Sequence, residues 1–268
     1  MRVLFIGDIV GRPGRRTLQK LLPKVRNTYG PFDFVIANVE NSAGGFGITQ
    51  KVLDDLLAMG IDCMTSGNHI WDKKEGLSLL DSEPKLLRPA NYPPGCPGRG
   101  SAVLKCGEGR LLVLNLLGRT FMYDVDCPFR KADEILQEAS TTTVLVDIHA
   151  EATSEKRALA LYLDGRVSVV LGTHTHVATA DEEILDKGTA FITDVGMTGG
   201  HAGVIGMRKE SVISRFLTSM PARFDACNED LRLNGVCLDI DALTGKALSI
   251  RRISEQVDEK NDELATDS

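Results

Sequence analysis

Two of the five histidines, His174 and His176, stand one residue apart in the stretch LGTHTHVATA, directly after the apolar run VSVVL. On an extended backbone, side chains at positions i and i+2 point to the same face, so both imidazoles could reach one object while Thr175 points away. An isolated pair of this kind is equally compatible with a simple polar strand end. Similar polar residues follow other apolar runs, namely Asp8, Glu40, Asn41, Asn68, His69 and His149.

These residues share a place in the predicted fold and a chemistry. Each lies at the end of a predicted strand, and ligands of open α/β sheets bind outside the carboxyl ends of the strands. Taken singly, each has a structural explanation as a helix cap, a turn residue or a hydrogen-bonded histidine. Together, carboxylate, amide and imidazole groups form a ligand set suited to iron, manganese or zinc. They are too many for one metal ion but suit two ions that share a carboxylate, and such a pair can hold a hydroxide for attack on phosphorus.

Apolar runs bounded by Gly, Asn or Asp predict the strands. They cover residues 2–7, 32–39, 63–67, 101–106, 111–117, 142–148, 167–172 and 190–195. Several runs are continuous, which is typical of strands covered on both faces. Helical patterns lie between many of them, at 15–28, 49–59, 131–139 and 153–163, and this alternation predicts a layered α/β domain. Hairpin-like pairs at 101–117 and 235–253 indicate a mixed sheet, and the Pro- and Gly-rich segment 88–100 predicts a long loop.

The length and charge of the chain bound its organisation. Its 268 residues are enough for one large domain, and 43% hydrophobic and 25% charged residues are typical of a globular protein. We predict one domain over residues 1–254, with a small cap or insert within 197–232, and a disordered acidic tail over 255–268. The tail holds six acidic residues and one lysine, so the nearly neutral body offers no basic field for nucleic acid.

Cysteine spacing and hydropathy indicate the compartment. The six cysteines, Cys63, Cys96, Cys106, Cys127, Cys227 and Cys237, contain no C-x-x-C pair, which is typical of free thiols in a reducing environment. No stretch has the pattern of a signal peptide or the length of a membrane span. We therefore expect a cytoplasmic protein.

Five motifs, in their order along the chain, resemble the successive blocks of the calcineurin-like metallophosphoesterases. They are GDIVG, NVENSAGG, GNHIWD, DIHAEATSEK and GTHTHV. The finer motifs VEN, HAEATSEK, TDVGMTGG and GVIGM are similar to those of the YmdB-type bacterial branch of that superfamily. The resemblance runs from residue 1 to about residue 255. It implies the layered fold of that superfamily, in which mixed β-sheets are sandwiched by helices.

The resemblance also implies a ligand set for two metal ions. The first ion would be held by Asp8, Glu40, Asn41 and His176. The second would be held by Glu40, Asn68, His149 and His174, with Glu40 bridging the two. The resemblance implies iron as the metal, with manganese or zinc as alternatives. Because the usual D-x-H block reads Asp8-Ile9-Val10, one imidazole ligand is missing, and the amide oxygen of Asn41 would replace it.

For function, the resemblance implies a phosphodiesterase that acts on cyclic nucleotides, particularly 2′,3′-cyclic ones. A metal-bridging hydroxide would attack phosphorus, and His69 would protonate the leaving oxygen. It also implies self-association into a homo-oligomer, and an RNA-derived substrate is compatible with this chemistry. Arg12, Arg15 and Arg119 are predicted in loops that could reach the site, so a phosphomonoesterase or nucleotidase stays open.

Two other classes of function compete with an esterase. The segment VLFIGDIVGRPG has the strand, Gly-rich turn and helix of a dinucleotide-binding domain, but Gly7, Gly11 and Gly14 have the wrong spacing for that motif. Asp8 would also repel a pyrophosphate. A regulatory or scaffold protein that holds metal without turnover is the other alternative, and the sequence does not exclude it.

Several neighbouring residues have both a structural and a functional interpretation. Glu151 and Lys156 could order the loop after His149, or could be an early helix acid and an exposed lysine. Trp71 is predicted in the core rather than as a pocket wall, and Asp72 as a partner of His69 or as an early helix acid. His201 is predicted to be exposed or at the rim of the substrate site rather than a metal ligand.

Overall fold

The computed structural model describes residues 1–258, and the strands and helices follow the predicted alternation. The strands are β1 (Arg2–Ile6), β2 (Asp8–Ile9), β3 (Phe34–Asn38), β4 (Cys63–Thr65), β5 (Ser101–Cys106), β6 (Gly109–Leu117), β7 (Val144–His149), β8 (Val169–Thr173), β9 (Glu183–Ile184), β10 (Ala190–Ile192), β11 (Met197–Gly200), β12 (Leu231–Ile240) and β13 (Ala247–Gln256). The helices are α1 (Gly11–Tyr29), α2 (Gln50–Ala58), α3 (Lys74–Ser82), α4 (Pro128–Gln137), α5 (Thr153–Leu163) and α6 (Lys209–Thr218), with a 3₁₀ turn at Asn68–Trp71.

Two mixed sheets form the centre of the protein. The first has the strand order β2-β11-β12-β1-β3-β4, with β13 paired to β12, and the second has the order β5-β6-β7-β8-β10-β9. Strands β1, β3 and β4 are parallel, as are β6, β7, β8 and β10, whereas β12 runs antiparallel to β1. Strand β5 pairs antiparallel with β6, and β12 with β13, so the predicted mixed α/β class and both hairpin-like pairs are confirmed.

Alternation along each strand assigns side chains to different layers. In β1, Leu4 and Ile6 pack against the helices of the first sheet, whereas Val3 and Phe5 pack between the two sheets. In β6, Leu111 and Val113 likewise face the first sheet, and the intervening side chains pack against α4 and α5. The layers therefore run helix, sheet, sheet, helix. This arrangement explains why the apolar runs are continuous rather than alternating.

The start of α1 differs from the predicted helix at 15–28. The helix begins at Gly11 and includes Pro13 in its first turn. Proline is tolerated there, because the backbone N–H that it lacks would have no partner within the helix. Arg12 and Arg15 therefore lie on α1 and not in a loop, and the Arg15 guanidinium donates to the Ser42 carbonyl oxygen. A Cβ at Gly14 would lie 2.4 Å from the Thr198 carbonyl oxygen. This glycine permits close packing against β11, a role that does not need a dinucleotide.

The end of the chain also differs from the prediction. Residues 255 and 256 belong to β13, and Glu255 forms an ion pair with Lys24 on α1. Most of the predicted acidic tail, residues 259–268, lies outside the described residues. None of the helices in the described part of the chain combines the length and apolar character that a membrane crossing requires. The helices α3 and α6, and the short strands β2, β9 and β11, were not predicted.

Candidate metal centre

The predicted strand-end residues converge at the carboxyl edges of the two sheets. Residue Asp8 follows β1, Glu40 and Asn41 follow β3, and Asn68 follows β4. From the second sheet, His149 ends β7, and His174 and His176 follow β8. Register pairing sets His149 beside Thr173 on the neighbouring strand. Because β1, β3 and β4 face β7 and β8 across the inter-sheet core, their polar ends meet at one place.

One group of donors is formed by Glu40, His149 and His174. The Glu40 Oε1 atom lies 3.0 Å from His149 Nε2, and His149 Nε2 lies 3.1 Å from His174 Nδ1. Ligand atoms of these three residues all lie within 4.8 Å of one another. Donor atoms about 2.1 Å from a shared ion are themselves about 3 Å apart, so this spacing suits a metal.

A second group shares Glu40 with the first. The Asn41 Nδ2 atom lies 3.2 Å from Glu40 Oε1 and 3.1 Å from His176 Nε2. Asp8 Oδ1 lies 3.8 Å from His176 Nε2, which is too long for a hydrogen bond but short enough for two ligands of one ion. Rotation of the Asn41 amide by 180° exchanges its nitrogen and oxygen, and would present the oxygen as a ligand.

Unpartnered oxygens show that the cluster fits cations. Asp8 Oδ1, Asn41 Oδ1 and Asn68 Oδ1 are buried and have no hydrogen-bond partner within residues 1–258. Burying such atoms without a partner is costly, and two of the three residues, Asp8 and Asn41, lie beside His176, so their oxygens fit a bound cation. A Cβ at Gly67 would lie 2.3 Å from His149 Nε2 and 2.4 Å from Glu40 Oε2. Gly67 therefore leaves the room in which these donor atoms approach each other.

Charge in the cluster is balanced between Glu40 and His149. Burial opposes ionisation of both groups, but each holds the other charged. The His149 cation and the hydrogen bond to it lower the pKa of Glu40 to about 2, and Glu40 raises the pKa of His149 to about 9. Burial and the neighbouring His149 lower the pKa of His174 to about 3, so this ring is neutral and ready to bind metal.

The unfolding free energy of the metal-free protein is expected to fall as pH rises from 6.5 through about 9. The pKa of His149 is raised from 6.5 to about 9, so its ion pair stabilises the fold fully below pH 6.5 and the stabilisation is lost as pH rises through 9. The raised pKa of His149 corresponds to about 3 kcal/mol of unfolding free energy. The lowered pKa of Glu40 comes from the same ion pair, so it adds nothing to this value. At acid pH, protonation of Glu40 removes the same ion pair, so the stabilisation is lost as pH falls from 4.5 through about 2.

Urea unfolding of chelated protein between pH 6 and 9.5 measures this decline. The Glu40→Gln variant serves as the control, because without the carboxylate the pH dependence assigned to this pair should largely disappear. An unfolding free energy that is constant over this range in wild-type protein would contradict the assignment of the charge pair.

The histidine loop adopts a different backbone from the one predicted. Strand β8 ends at Thr173, and His174 and His176 have φ angles of 97° and 66°, in the left-handed region. Their convergence therefore does not come from an extended strand. Thr175 does point away from the imidazoles, because its hydroxyl and its backbone N–H both donate to Asp194 Oδ2. Such backbone strain is typical of functional sites.

A buried ion pair holds this loop. Lys156 is fully buried, and its Nζ lies 2.8 Å from Asp194 Oδ2, the same oxygen that binds Thr175. Asp194 Oδ1 also accepts from the Gly196 N–H. The alternative of an exposed lysine at position 156 is therefore wrong. Glu151, from the same motif, lies 3.2 Å from His174 Nε2.

Breaking this pair is expected to destabilise the protein strongly. Lys156→Met leaves the Asp194 carboxylate buried without its cation, which typically costs about 3–5 kcal/mol. Urea unfolding measures the change, and Lys24→Met is a matched control. Lys24 also forms an ion pair, but it is 58% exposed, so its loss is expected to cost much less than the loss of Lys156. Equal costs for the two variants would show that the buried pair has no special role.

His69 lies at the edge of the cluster, with its ring fixed from two sides. Its backbone N–H donates to Glu40 Oε2 at 2.9 Å, and its ring Nδ1 lies 2.8 Å from Asp72 Oδ2. The ring packs edge-on against Phe46 at 4.9 Å. Asp72 is thus the partner of His69, and it contacts the ring through Nδ1. Trp71 packs against the hydrophobic core and, edge-on, against Tyr92.

Two predicted residues are held by contacts with residues outside the donor cluster. His201 Nδ1 donates to the Gly199 carbonyl oxygen, and its Nε2 accepts from the Asn234 amide. This half-buried ring is occupied by structural hydrogen bonds, although it borders a cavity that His176 also lines. Arg119 lies in the loop after β6, as predicted, and its backbone N–H donates to Glu155.

Sequence reasoning missed the buried polar residues that position the ligands. Asp147 accepts hydrogen bonds from Asn38, Thr65 and Thr173, and burial raises its pKa to about 6. Asn115 exchanges two hydrogen bonds with the Ser66 backbone and so fixes the strand end before Gly67. The signal that could have found them is a polar residue inside an otherwise apolar strand, as in LLVLNLL and VLVDIH.

Comparisons with known proteins identify relatives of this chain. The profile of a family described as YmdB-like protein matches residues 4–253. A protein of Bacillus subtilis (strain 168) named 2′,3′-cyclic-nucleotide 2′-phosphodiesterase is 52% identical over 255 residues, which cover 94% of this chain and 96% of that protein.

Solved structures extend the comparison to the fold. The crystal structure of a hypothetical protein from Thermus thermophilus superposes with a TM-score of 0.91 at 46% identity, covering 96% of this chain and all of that one. A putative 5′-nucleotidase from Staphylococcus aureus superposes with a TM-score of 0.58 at 14% identity, covering 99% of this chain and 58% of that one, and shares the fold alone.

Proposed function

Because this chain belongs to the family of YmdB-like proteins, we propose that it is a dinuclear metal-dependent phosphodiesterase acting on 2′,3′-cyclic nucleotides. The observation that carries this proposal is the convergence of Asp8 and Asn41, each with an unpartnered buried oxygen, with three imidazoles around Glu40. The fold is the calcineurin-like metallophosphoesterase fold. The name of the 52% identical relative supports the substrate class. Cytoplasmic location and self-association stay predictions.

The chain offers two overlapping sets of ligands. Asp8, Glu40, Asn41 and His176 would hold one ion, and Glu40, Asn68, His149 and His174 would hold the other. Bound there, two metal ions would supply a water of lowered pKa and would offset negative charge on the phosphoryl oxygens. The histidines must bind as neutral rings, so His149 gives up its proton when metal is loaded. Iron is the expected metal, with manganese or zinc as alternatives.

His69 supplies the proton that the leaving oxygen needs. Asp72 keeps Nδ1 as a hydrogen-bond donor, which leaves Nε2 to carry the transferred proton. The hydrogen bond from the His69 backbone to Glu40 keeps this ring next to the ligand cluster whatever the ring's protonation state. Opening a 2′,3′-cyclic phosphate at the 2′ oxygen creates a poor leaving group, which is where a general acid matters most.

Hydrolysis assays on metal-analysed protein test this function against a regulatory, non-catalytic role. The purified protein is expected to contain metal and to convert 2′,3′-cyclic AMP to the 3′-phosphate, because breaking the bond to the 2′ oxygen leaves phosphate on the 3′ oxygen. Bis(p-nitrophenyl) phosphate and p-nitrophenyl phosphate separate diesterase from monoesterase activity. Chelated protein should be inactive and should recover when metal is returned. A rate unaffected by chelation, or no turnover of any diester by the metal-loaded protein, would overturn the proposal.

A further inference from the structure

The segment between β6 and α4, residues 118–127, displays two aromatic side chains next to the metal centre. We refer to this segment as the aromatic loop. Phe121 is 89% exposed and Tyr123 is 58% exposed, although both are side chains that proteins usually shield from water. An exposed aromatic pair of this kind is typical of a surface that contacts a ligand.

The aromatic loop is anchored and not a frayed connection. The buried Asn91 side chain binds the Leu117 backbone at the start of the loop, through both its N–H and its carbonyl oxygen. The same side chain donates to the Asp126 carbonyl oxygen at the other end. The Glu155 carboxylate accepts from the Arg119 backbone N–H. One buried amide therefore closes both ends of the loop, and the aromatic side chains project from a fixed base.

The backbone of the loop is strained where the first aromatic side chain projects. Phe121 has a φ of 61°, in the left-handed region that a bulky residue rarely adopts. Such a conformation persists only where the surrounding structure imposes it, and it occurs preferentially at functional sites. Phe121 is also the most exposed aromatic residue of the loop.

The loop lies directly beside the ligand cluster. The Gly118 N–H donates to the His149 carbonyl oxygen at 3.0 Å, one residue after β6 ends next to β7. Beside the metal centre, Tyr92 packs edge-on against Trp71, which follows His69 in the 3₁₀ turn. A ligand bound at the metals could therefore extend across Tyr123.

Two arginines border the same loop without ion-pair partners. Arg119 and Arg130 line a cavity of about 420 Å³, and neither guanidinium forms an ion pair with any residue of the described chain. Lys131, in the same cavity, is already paired with Glu134. The nearby acids Asp124 and Asp126 offset part of the positive charge. Stacking, rather than charge alone, must therefore supply most of the affinity for any ligand here.

We propose that the aromatic loop is a nucleotide-binding subsite for single-stranded RNA whose 3′ end carries the 2′,3′-cyclic phosphate. Phe121 and Tyr123 stack on bases that precede the terminal nucleotide, and Arg119 and Arg130 bind the phosphates between them. This inference rests on the proposed function. A 2′,3′-cyclic phosphate forms when a ribose 2′-hydroxyl attacks the adjacent diester, so it is a natural end of a cleaved RNA strand. A cyclic mononucleotide would leave the aromatic loop empty.

Comparing long and short substrates tests the subsite. The ratio of kcat/KM for a pentaadenylate with a 2′,3′-cyclic end to kcat/KM for 2′,3′-cyclic AMP is expected to exceed one in wild-type protein. In the double variant Phe121→Ala, Tyr123→Ala this ratio is expected to fall about 5- to 150-fold, the usual effect of losing one stacked base. The double variant Phe121→Tyr, Tyr123→Phe keeps both rings and should keep the ratio within about twofold. Phe216→Ala on α6, 82% exposed and outside the loop, is the matched control and should leave the ratio unchanged.

The outcomes separate this inference from the proposed function. A wild-type ratio of one or less, or an unchanged ratio in the alanine variant, overturns the subsite even when the enzyme is active. If wild-type protein hydrolyses neither substrate, the proposed function fails, and fluorescence anisotropy with labelled pentaadenylate 3′-phosphate then decides the subsite alone. A 5- to 150-fold weaker binding by the alanine variant supports it, and equal binding overturns it. Binding weakened by Arg119→Gln and Arg130→Gln, but not by the alanine variant, would also overturn stacking.

Discussion

Glu40→Ala is expected to lose both metal ions and, with them, diesterase activity. The Glu40 carboxylate lies 3.0 Å from the His149 ring nitrogen and 3.2 Å from the Asn41 amide, so it contacts a member of each group of donors. Its removal opens both ligand sets and also takes away the charge that offsets two cations. Metal catalysis is worth several kcal/mol, so the rate should fall by at least about 10³-fold.

Metal analysis by inductively coupled plasma mass spectrometry, together with steady-state rates, measures this loss. Glu108→Ala is the matched control, because Glu108 lies exposed in the β5–β6 turn and should keep both metal and activity. Glu40→Gln should lose nearly as much metal and activity as Glu40→Ala. A neutral amide lacks the negative charge with which the carboxylate would bridge two cations. A Glu40→Ala protein that retains two metal ions per chain would show that another carboxylate bridges them.

The grouping of the polar donor residues could be predicted because these residues lie at strand ends. Apolar runs locate the strands, and the carboxyl ends of parallel strands meet at one edge, so residue type and order were enough to group Asp8, Glu40 and His149. The same reasoning assumed an extended backbone at the H-x-H motif. It was wrong there, because the conformation of His174 and His176 is imposed by contacts from elsewhere in the chain.

The supporting contacts could not be predicted because they join distant segments. Lys156 is near the start of α5, where a lysine is usually solvated, and only the position of Asp194 after β10 makes its burial tolerable. Asp147 and Asn115 interrupt apolar strands at positions that face the other sheet. Their hydrogen-bond partners there include Asn38 on β3 and Ser66, which directly follows β4. Such pairings depend on how the two sheets stack, which hydrophobic periodicity does not specify.

His69→Ala is expected to separate metal binding from proton transfer. The contact between residue 69 and Glu40 is made by the backbone N–H, which alanine keeps, so both metal ions should remain. The substitution removes the ring nitrogen that we propose as the proton donor to the leaving oxygen. Loss of a general acid typically lowers the rate by about 10²- to 10⁴-fold. This loss should appear with 2′,3′-cyclic AMP, whose ribose oxygen leaves poorly, and should be much smaller with bis(p-nitrophenyl) phosphate, whose phenolate leaves without a proton.

The Asp72→Asn variant tests how the ring is positioned. Because the carboxylate at 2.8 Å orients Nδ1, the amide should weaken this orientation while leaving the ring itself in place. We expect a smaller loss than in His69→Ala, with the same preference for the nitrophenyl substrate. If His69→Ala turned over 2′,3′-cyclic AMP at the wild-type rate with both metals bound, the leaving oxygen would have to take its proton from another donor. A loss of equal size on both substrates would instead assign His69 to binding the phosphate, because only proton transfer depends on the leaving group.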